Sequence, residues 1–192
     1  MKNSKKSDLE ILNDEVMCTG DFIEAIRRHY KDRNGRLSTW EFVKRKRNFG
    51  VVMIAAITDA HELVLERTFR IPLNAYVIEL PAGLYEPDSE TPEAAVRREL
   101  LEETGYAVDP AELLLEIVGN QGLLGDVMAF FLGMHAKRIQ EPELEATEDI
   151  ETMVVPVNEL SRFLLEEYRK GAKIDLKILA VAPLLRERGF PV

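Results

Sequence analysis

Residues 79–106 read ELPAGLYEPDSETPEAAVRRELLEETGY, and the interpretation of the whole chain starts from this stretch. Thr91 is a preferred N-cap residue, and Pro92 fits the first helical position because the N–H it lacks would be unpaired there in any case. Gly105 is typical of the position just after a helix. The sequence therefore predicts a helix that begins after Thr91 and ends near Gly105.

Three carboxylates share one face of this predicted helix. Glu99, Glu102 and Glu103 are spaced i, i+3 and i+4, which places them within an arc of about a quarter turn. Ala94 and Leu101 are predicted to face the other side, toward a core. Carboxylates at this spacing repel each other by about 0.2–0.5 kcal/mol per pair, and a hard cation such as Mg²⁺ or Mn²⁺ removes that repulsion. The pattern therefore indicates either a metal-binding face or a solvated acidic face.

The residues around the helix favour the metal-binding alternative. In chain order they are Gly83, Glu90, Arg98-Glu99-Leu100, Glu102-Glu103 and Gly105-Tyr106. This string resembles the Nudix box, G-x5-E-x7-R-E-U-x-E-E-x-G-U, in which U is a bulky apolar residue. Its helical portion would arise by chance roughly once in a million start positions. One departure is that six residues, rather than five, separate Gly83 from Glu90.

The composition argues against several classes of protein. The chain has 192 residues and a formal net charge of −9, which disfavours binding to a nucleic-acid backbone. The longest apolar run, residues 51–57, is too short to span a bilayer, and the N-terminal residues lack the apolar stretch of a signal peptide. Cys18 is the single cysteine, so an intrachain disulfide is excluded. We expect a cytoplasmic protein with neither nucleic acid nor membrane as partner.

The hydrophobic patterns predict an α/β domain with a mixed sheet, preceded by a small β subdomain. Residues 1–14 read as loose, and Asn34-Gly35 predicts an antiparallel hairpin of strands 22–30 and 37–47. The predicted domains are therefore residues 1–47 and residues 48–192. In the second domain, besides the helix that follows Thr91, the patterns predict strands 49–58, 63–69, 75–80, 113–118, 127–134 and 151–157 and helices 158–170 and 174–188.

Several strings outside the box extend the resemblance. They are TWEFVKR at 39–45, FRIPL at 69–73, IELPAGL at 78–84, EDIE at 148–151 and DLKI at 175–178. Together they resemble the ADP-ribose and ADP-sugar pyrophosphatases of the Nudix superfamily. This resemblance implies a Nudix α/β/α sandwich, and a homodimer in which the N-terminal hairpin exchanges between subunits. It also implies Mg²⁺-dependent hydrolysis of a nucleoside diphosphate sugar, with Mn²⁺ as a substitute cofactor.

The resemblance also implies the metal ligands. These are the carboxylates of Glu99 and Glu103, the backbone carbonyl of Ala82, and Glu102 as a direct or water-mediated ligand. The chemistry agrees, because cleavage of a pyrophosphate requires neutralised phosphates and an activated water, and bound Mg²⁺ supplies both. Arg98 either orients these carboxylates by ion pairing or is a solvated helix charge.

The catalytic base is expected in the acidic loop of residues 139–149. The resemblance places it at Glu148, which directly precedes the predicted strand, with Glu145 as the second choice. The alternative is that this loop is a disordered acidic run without a catalytic role.

The resemblance implies five substrate-binding residues. Trp40 would stack on adenine, with Phe22 as the opposite wall of the clamp, and Glu41 would accept a hydrogen bond from the adenine amine. Arg45 and Arg70 would bind phosphates or the terminal ribose, since a guanidinium group matches phosphate oxygens. Trp40 and Phe22 could alternatively be core residues.

The identity of the substrate stays open at this stage. The ADP-ribose cleaving enzymes of the family usually have a proline in the loop after the box, and Gln121 stands in its place here. One alternative is therefore a Nudix hydrolase for a GDP-sugar or a dinucleotide. Another is a Nudix domain that binds ADP-ribose as a sensor without turnover, although such domains usually lose the box glutamates that this chain retains.

Overall fold

The computed structural model describes residues 7–46 and 49–190, which divide into two compact units. The small unit comprises the residues up to Phe49 together with Val118–Val127, and the large unit comprises Gly50–Ile117 and the residues from Met128 onward. The predicted boundary between residues 47 and 48 lies outside the described residues and stays a prediction.

The small unit contains a three-stranded antiparallel sheet rather than a two-stranded hairpin. Its strands, in the order β1-β2-β3, are β1 (Glu10–Thr19), β2 (Ile23–Lys31) and β3 (Leu37–Arg45). The β2–β3 hairpin is confirmed. The prediction that residues 1–14 are loose is wrong for residues 10–14, which belong to β1; residues 1–6 and the predicted strand end at Arg47 lie outside the described residues.

Charge complementarity explains why such a polar segment forms β1. Asp14 on β1 lies opposite Arg28 on β2, and its two carboxylate oxygens accept hydrogen bonds of 2.7 and 2.8 Å from the guanidinium group. Glu10 pairs with Lys31 in the same way, with 2.9 Å between Oε2 and Nζ. Opposite charges directly across an antiparallel pair stabilise the pairing, so the acidic β1 is held by the basic β2.

The described residues of the large unit form a nine-stranded mixed sheet and three α-helices. The strands β12-β6-β5-β4-β10-β8 are neighbours in this order, while β11 pairs with β5, β7 with β4 and β9 with β10. The β4–β10 and β6–β12 pairs are parallel and the other pairs are antiparallel. The elements are β4 (Gly50–Thr58), β5 (Glu62–Arg70), β6 (Ala75–Glu79), β7 (Ala82–Tyr85), α1 (Pro92–Thr104), β8 (Tyr106–Ala107), β9 (Ala111–Ile117), β10 (Met128–Arg138), β11 (Ile150–Pro156), α2 (Leu160–Arg169), β12 (Lys173–Ile174) and α3 (Val181–Glu187).

Helices cover both faces of this sheet, as predicted for an α/β/α sandwich. On one face, apolar side chains of the sheet, such as Leu65, pack with Leu164 of α2 and Leu185 of α3. On the other face, side chains such as Ile54 pack with Leu100 of α1. The strands alternate between two buried layers, and α1 is therefore fixed against the sheet through its apolar side.

The predicted ends of α1 are confirmed. The Thr91 hydroxyl accepts a hydrogen bond of 3.2 Å from the Ala94 N–H, Pro92 is the first helical residue, and Gly105 ends the helix with a left-handed φ of 75°. The predicted core side of this helix is wrong. Ala94 is exposed and Leu101 is half-buried, whereas the buried residues are Ala95, Val96, Leu100, Glu103 and Thr104.

The C-terminal segment is shorter as a helix than predicted. The predicted helix 174–188 is interrupted, because a 3₁₀ helix at Leu176–Ala180 precedes α3. Two other 3₁₀ turns lie at Ile71–Leu73 and Val157–Glu159. Within residues 7–46 and 49–190, no helix combines the length and apolar character needed to cross a membrane.

Candidate active site

The glycine of the box allows the backbone of β7 to lie directly against a carboxylate of α1. A Cβ atom added at Gly83 would overlap the carboxyl end of the Glu99 side chain, so a larger residue at this position would displace that carboxylate. Burial of Glu99 raises the pKa of its carboxyl group, an effect that Arg98 opposes. Gly83 and Glu99 of the box are therefore in direct contact.

Glu103 is buried beneath this contact rather than displayed on an exposed face. Its exposed fraction is 8%, and its Oε2 accepts a hydrogen bond of 3.2 Å from the Ala82 N–H. Burial raises the pKa of Glu103 to about 8, and the nearby charges of Glu99 and Glu148 also raise it. The predicted ligands Ala82, Glu99 and Glu103 are thus neighbours, and Glu103 is positioned by the β7 backbone.

Arg98 joins the remaining carboxylates of the box into one network. Its guanidinium donates two hydrogen bonds of 3.0 Å to Glu90 and one of 2.9 Å to Glu102, and lies 3.0 Å from Glu99. These anions raise the pKa of Arg98, which stays charged. Of the two alternatives that the sequence left open for Arg98, the structure has the ion pairing.

The extra residue between Gly83 and Glu90 does not remove Glu90 from this network. The Ser89 and Glu90 N–H groups both donate to the Glu86 carbonyl at 3.0 Å, which forms a compact turn before α1. The added residue is absorbed in that turn, and the Glu90 carboxylate still reaches Arg98.

The acidic loop is connected to α1 by backbone hydrogen bonds. The Glu143 N–H donates to the Glu102 carbonyl at 2.8 Å, and the Ile139 N–H donates to the Gly105 carbonyl at 2.9 Å. Near the end of the loop, Glu148 Oε2 accepts a hydrogen bond of 2.8 Å from the Glu145 N–H. The loop is therefore ordered against the helix that carries the box.

Of the two base candidates in this loop, Glu148 lies nearer to the box carboxylates. It is half-buried, and its charge contributes to the raised pKa values of both Glu99 and Glu103. Glu145 is exposed, and its backbone N–H holds the Glu148 side chain. This arrangement favours Glu148 over Glu145 as the group beside the reacting atoms.

Sequence reasoning missed a further carboxylate, Glu66, which reaches the site from the sheet. It lies on β5 with an exposed fraction of 1%, and its carboxyl group is within hydrogen-bonding contact of Glu103. Burial and the charge of Glu103 raise the pKa of Glu66 well above its usual value. The only signal in the sequence was a charged residue inside an apolar strand.

The donors at this site suit a hard divalent cation. They are the oxygens of carboxylates and of a nearby backbone carbonyl, and Mg²⁺ and Mn²⁺ prefer oxygen ligands. In addition, Glu66 Oε1 is buried without a hydrogen-bond partner among the described residues. No three Asp, Glu, His or Cys side chains in residues 7–46 and 49–190 already converge as ligands. Arg98 lies between Glu99 and Glu102 and supplies positive charge there.

Arg70 lies on the same strand as Glu66 and is paired with a carboxylate. Its Nε donates a hydrogen bond of 2.7 Å to Glu79 Oε1, and Glu79 lies directly opposite Glu66 on β6. The predicted phosphate-binding role of Arg70 stays a prediction, with Glu79 as the residue that orients its guanidinium.

Within the small unit, Trp40 lines a cavity of about 310 Å³. The indole N–H donates a hydrogen bond of 2.9 Å to the Gly122 carbonyl, and the side chain is not a core residue because 54% of Trp40 is exposed. Arg28, Tyr30, Phe42 and Gln121 also line this cavity. Its walls therefore combine aromatic faces with a cation and an amide.

The other predicted substrate residues of the small unit lie elsewhere. Glu41 follows Trp40 along β3 and so points to the opposite face of the sheet, where it accepts a hydrogen bond of 2.9 Å from Arg27. Phe22 is 83% exposed and does not line the cavity. Arg45 pairs with Asp126 at 3.1 Å. One bound base therefore cannot contact both Trp40 and Glu41 of the same chain.

Comparison with known proteins places this site in a family. Residues 44–177 match the NUDIX domain. The chain is 36% identical over 121 residues to an ADP-sugar pyrophosphatase of Mus musculus, which covers 59% of this chain and 55% of that protein. It is 30% identical over 146 residues to an ADP-ribose pyrophosphatase of Bacillus subtilis, which covers 76% of this chain and 77% of that protein.

A solved structure gives the same answer for the fold. The crystal structure of an ADP compounds hydrolase superposes with a TM-score of 0.68 at 21% sequence identity, and the match covers 88% of this chain and 98% of that one. The chain belongs to the NUDIX domain family. The predicted enzyme class, a Nudix hydrolase, and the predicted mixed α/β fold are confirmed.

Proposed function

We propose that this Nudix hydrolase cleaves the pyrophosphate bond of a nucleoside diphosphate sugar such as ADP-ribose, with Mg²⁺ as cofactor. The products are a nucleoside monophosphate and a sugar phosphate. The observation that carries the proposal is the group of carboxylates where α1 meets β7, in which Gly83 contacts Glu99 and Ala82 contacts Glu103. The names of the two pyrophosphatase relatives support the substrate class.

Glu99, Glu103 and the Ala82 carbonyl would hold the cation, with Glu102 as a direct or water-mediated ligand. Bound Mg²⁺ neutralises phosphate charge and lowers the pKa of a coordinated water. Arg98 holds Glu99 and Glu102 in place through its ion pairs. Arg98 therefore serves the carboxylates rather than the phosphates.

Glu148 would position the attacking water and accept its proton. The water oxygen forms a bond to one phosphorus, and the bond between that phosphorus and the bridging oxygen breaks. The bridging oxygen leaves with the other phosphate. The Glu145 N–H orients Glu148 through its hydrogen bond to Oε2, so Glu145 acts through its backbone.

Base recognition would fall to the small unit. A ring stacked on Trp40 would gain about 1–3 kcal/mol, as base–aromatic stacking does in other proteins. Arg45 and Arg70 would bind phosphate or ribose oxygens, and Phe22 is retained as a second aromatic contact. Because Trp40 and Glu41 lie on opposite faces of the sheet, Glu41 can join the same base only in a site that a second chain completes.

A homodimer would supply that second chain. The small sheet leaves apolar side chains exposed on β1 and β3, including 55% of Ile11, 51% of Val16 and 75% of Leu37. Exposed apolar surface of this kind is typical of a protein–protein contact. Sedimentation at micromolar concentration should give a dimer, and a monomer would contradict this part of the proposal.

A substrate panel tests the reaction. The purified chain is incubated with ADP-ribose, a GDP-sugar and a dinucleotide, each with Mg²⁺ and with EDTA, and nucleoside monophosphate is quantified by chromatography. We expect AMP from ADP-ribose only with Mg²⁺. Preference for the GDP-sugar would favour the second candidate substrate, for which Gln121 in the wall of the Trp40 cavity is the relevant observation. Binding of ADP-ribose without any product would support a sensor and overturn the proposed hydrolysis.

A further inference from the structure

The face of the sheet that carries Glu66 has an unusual row of polar side chains. Antiparallel pairing puts Thr152 of β11 and Glu79 of β6 directly opposite Glu66 of β5. Thr68 lies two residues further along β5 and therefore points to the same face. This is also the face that contains Val64, which packs in the cluster formed with α1. The row therefore lies on the side of the sheet that carries the box helix.

Three oxygens in this row are buried and unpaired. Glu66 Oε1, Thr68 Oγ1 and Thr152 Oγ1 have no hydrogen-bond partner among the described residues. A buried polar group without a partner costs about 1–3 kcal/mol, and more when it is charged. Such groups are rare in native proteins, and a bound ion or water is one of the reasons for which they occur. All three are oxygen atoms, and oxygen is the ligand atom that a hard cation requires, either directly or through its bound water.

Glu66 also lies against a predicted ligand of the site. Its carboxyl group is in contact with that of Glu103, and the nearby cation Arg70 is engaged by Glu79. Two buried carboxylates in contact require a positive charge or a shared proton between them. The open oxygen of Glu66 offers a position where a cation would meet both residues.

We propose that Glu66 is a further cation-binding residue, which acts together with Glu103 from the sheet side of the site. This inference rests on the proposed function, because it concerns the same divalent cation. It assigns the site a carboxylate from β5 in addition to those of α1. The hydroxyl groups of Thr68 and Thr152 lie in the same row and would accept contacts from the cation's water shell.

The test measures direct binding of Mn²⁺ to the full chain by electron paramagnetic resonance. Four proteins are compared: wild type, Glu66→Gln, Glu66→Val and the control Glu167→Gln. Glu167 is a suitable control because, like Glu66, it is a buried glutamate, with an exposed fraction of 5%. Unlike Glu66, it lies on α2 and pairs with Lys170 at 2.6 Å. The melting temperature of each protein is measured with and without Mn²⁺, so that a misfolded variant is recognised.

We expect Glu66→Gln to weaken Mn²⁺ binding about tenfold or more, as loss of a metal-supporting residue does elsewhere. Its melting temperature without metal should stay close to that of wild type, because the uncharged amide matches the carboxyl group in shape, while its stabilisation by Mn²⁺ should shrink. Glu66→Val should weaken binding similarly, and Glu167→Gln should bind as wild type does.

Two results would overturn the inference in distinguishable ways. If wild type binds Mn²⁺ and Glu66→Gln binds it within about twofold, Glu66 shares a proton with Glu103 instead, and the proposed function is unaffected. If wild type binds no divalent cation, the metal-dependent reaction itself fails, and the role of Glu66 fails with it.

Discussion

The small and large sheets of this protein are stabilised in different ways. In the large sheet, β4 contains six consecutive buried residues, Val52–Ile57, and helices cover both faces. In the small sheet, Ile26 is the only fully buried apolar residue of the described strands. The rest of the small sheet has ion pairs between β1 and β2 and exposed apolar side chains. The large sheet is therefore stabilised by a core of its own, whereas the small sheet is stabilised by interactions at its surface.

This difference matches the proposed division of function. A pyrophosphate cleavage site needs carboxylates held in fixed positions, and the carboxylates of α1 are attached to the sheet with two apolar layers. Recognition of a flat base needs accessible aromatic rings, and Trp40 on the small sheet is half exposed. The following predictions test whether the two sheets can be perturbed independently.

The largest effect is expected at the carboxylates of the large sheet. Glu103→Gln and Glu99→Gln should each abolish metal-dependent turnover, because a neutral amide replaces a charged ligand. The melting temperature without metal should not fall, since the amide oxygen introduced by Glu103→Gln can still accept the Ala82 N–H and the amide matches the carboxyl group in shape. Product formation by chromatography and thermal melting on the same samples provide the check.

Glu102→Gln is the matched comparison on the same helix. Its side chain is 44% exposed, so we expect a smaller loss of turnover than for Glu103. Turnover within about tenfold of wild type for both Glu99→Gln and Glu103→Gln would contradict the assignment of these residues to the metal.

The sequence carried more information about the large sheet than about the small one. The caps of α1 were predictable because Thr91, Pro92 and Gly105 act through local backbone chemistry. Strand β1 was not, because its charges read as a loose segment until the basic β2 is known to lie opposite. Local sequence patterns therefore predicted the ends of α1, which depend on residues close together in the chain. They missed β1, which the neighbouring strand β2 stabilises.

Within the site, the sequence identified which residues take part but not how deeply they lie. The spacing of the carboxylates on α1 indicated one face, but it did not indicate that Glu103 is buried together with Leu100. Burial depends on how the helix is rotated against the sheet, which periodicity defines poorly when Val96 and Leu100 border the acidic arc. Glu66 was missed because its contact with Glu103 joins residues that are far apart in the chain.

The second largest effect tests the cores themselves. Leu100→Ala removes a fully buried side chain between α1 and the large sheet and should cost about 2–5 kcal/mol of unfolding free energy. Leu37→Ala in the small sheet removes a side chain that is 75% exposed and should cost less than about 0.5 kcal/mol. Denaturant unfolding of both variants measures the difference. Equal losses would contradict the view that only the large sheet has its own core.

A smaller effect is expected from Trp40, and it concerns binding rather than stability. Trp40→Ala should weaken substrate binding by about 1–3 kcal/mol if the indole stacks on the base. The loss should appear in KM, because the ring would contact the base equally in the ground and transition states. The melting temperature should change little, since 54% of Trp40 is exposed. An unchanged KM would remove the stacking role, and Tyr30→Phe, which keeps a ring in the same cavity wall, is the matched control.

The smallest effect is expected from the ion pair that joins β1 to β2. Its side chains are 34% and 40% exposed at Asp14 and Arg28, and exposed pairs contribute about 0.2–1 kcal/mol. A double-mutant cycle with Asp14→Asn and Arg28→Gln should give a coupling energy in that range. The measurement is hydrogen exchange of the β1 and β2 amides in each protein of the cycle. The same cycle at Glu167 and Lys170 of the large unit provides a comparison in which one partner is buried.

The pH dependence of this coupling follows from the direction of the Asp14 pKa shift. The hydrogen bond from Arg28 lowers the pKa of Asp14 below 3.8, so the folded state binds a proton less readily than the unfolded state. The contribution of the pair is therefore fully present above the unfolded pKa, and it is lost as the pH falls through the lower folded value. Added salt should weaken it at neutral pH as well. A coupling that persists after Asp14 has been protonated with acid and in about 1 M salt would show that backbone pairing and apolar contacts, rather than charge, hold β1 to the small sheet.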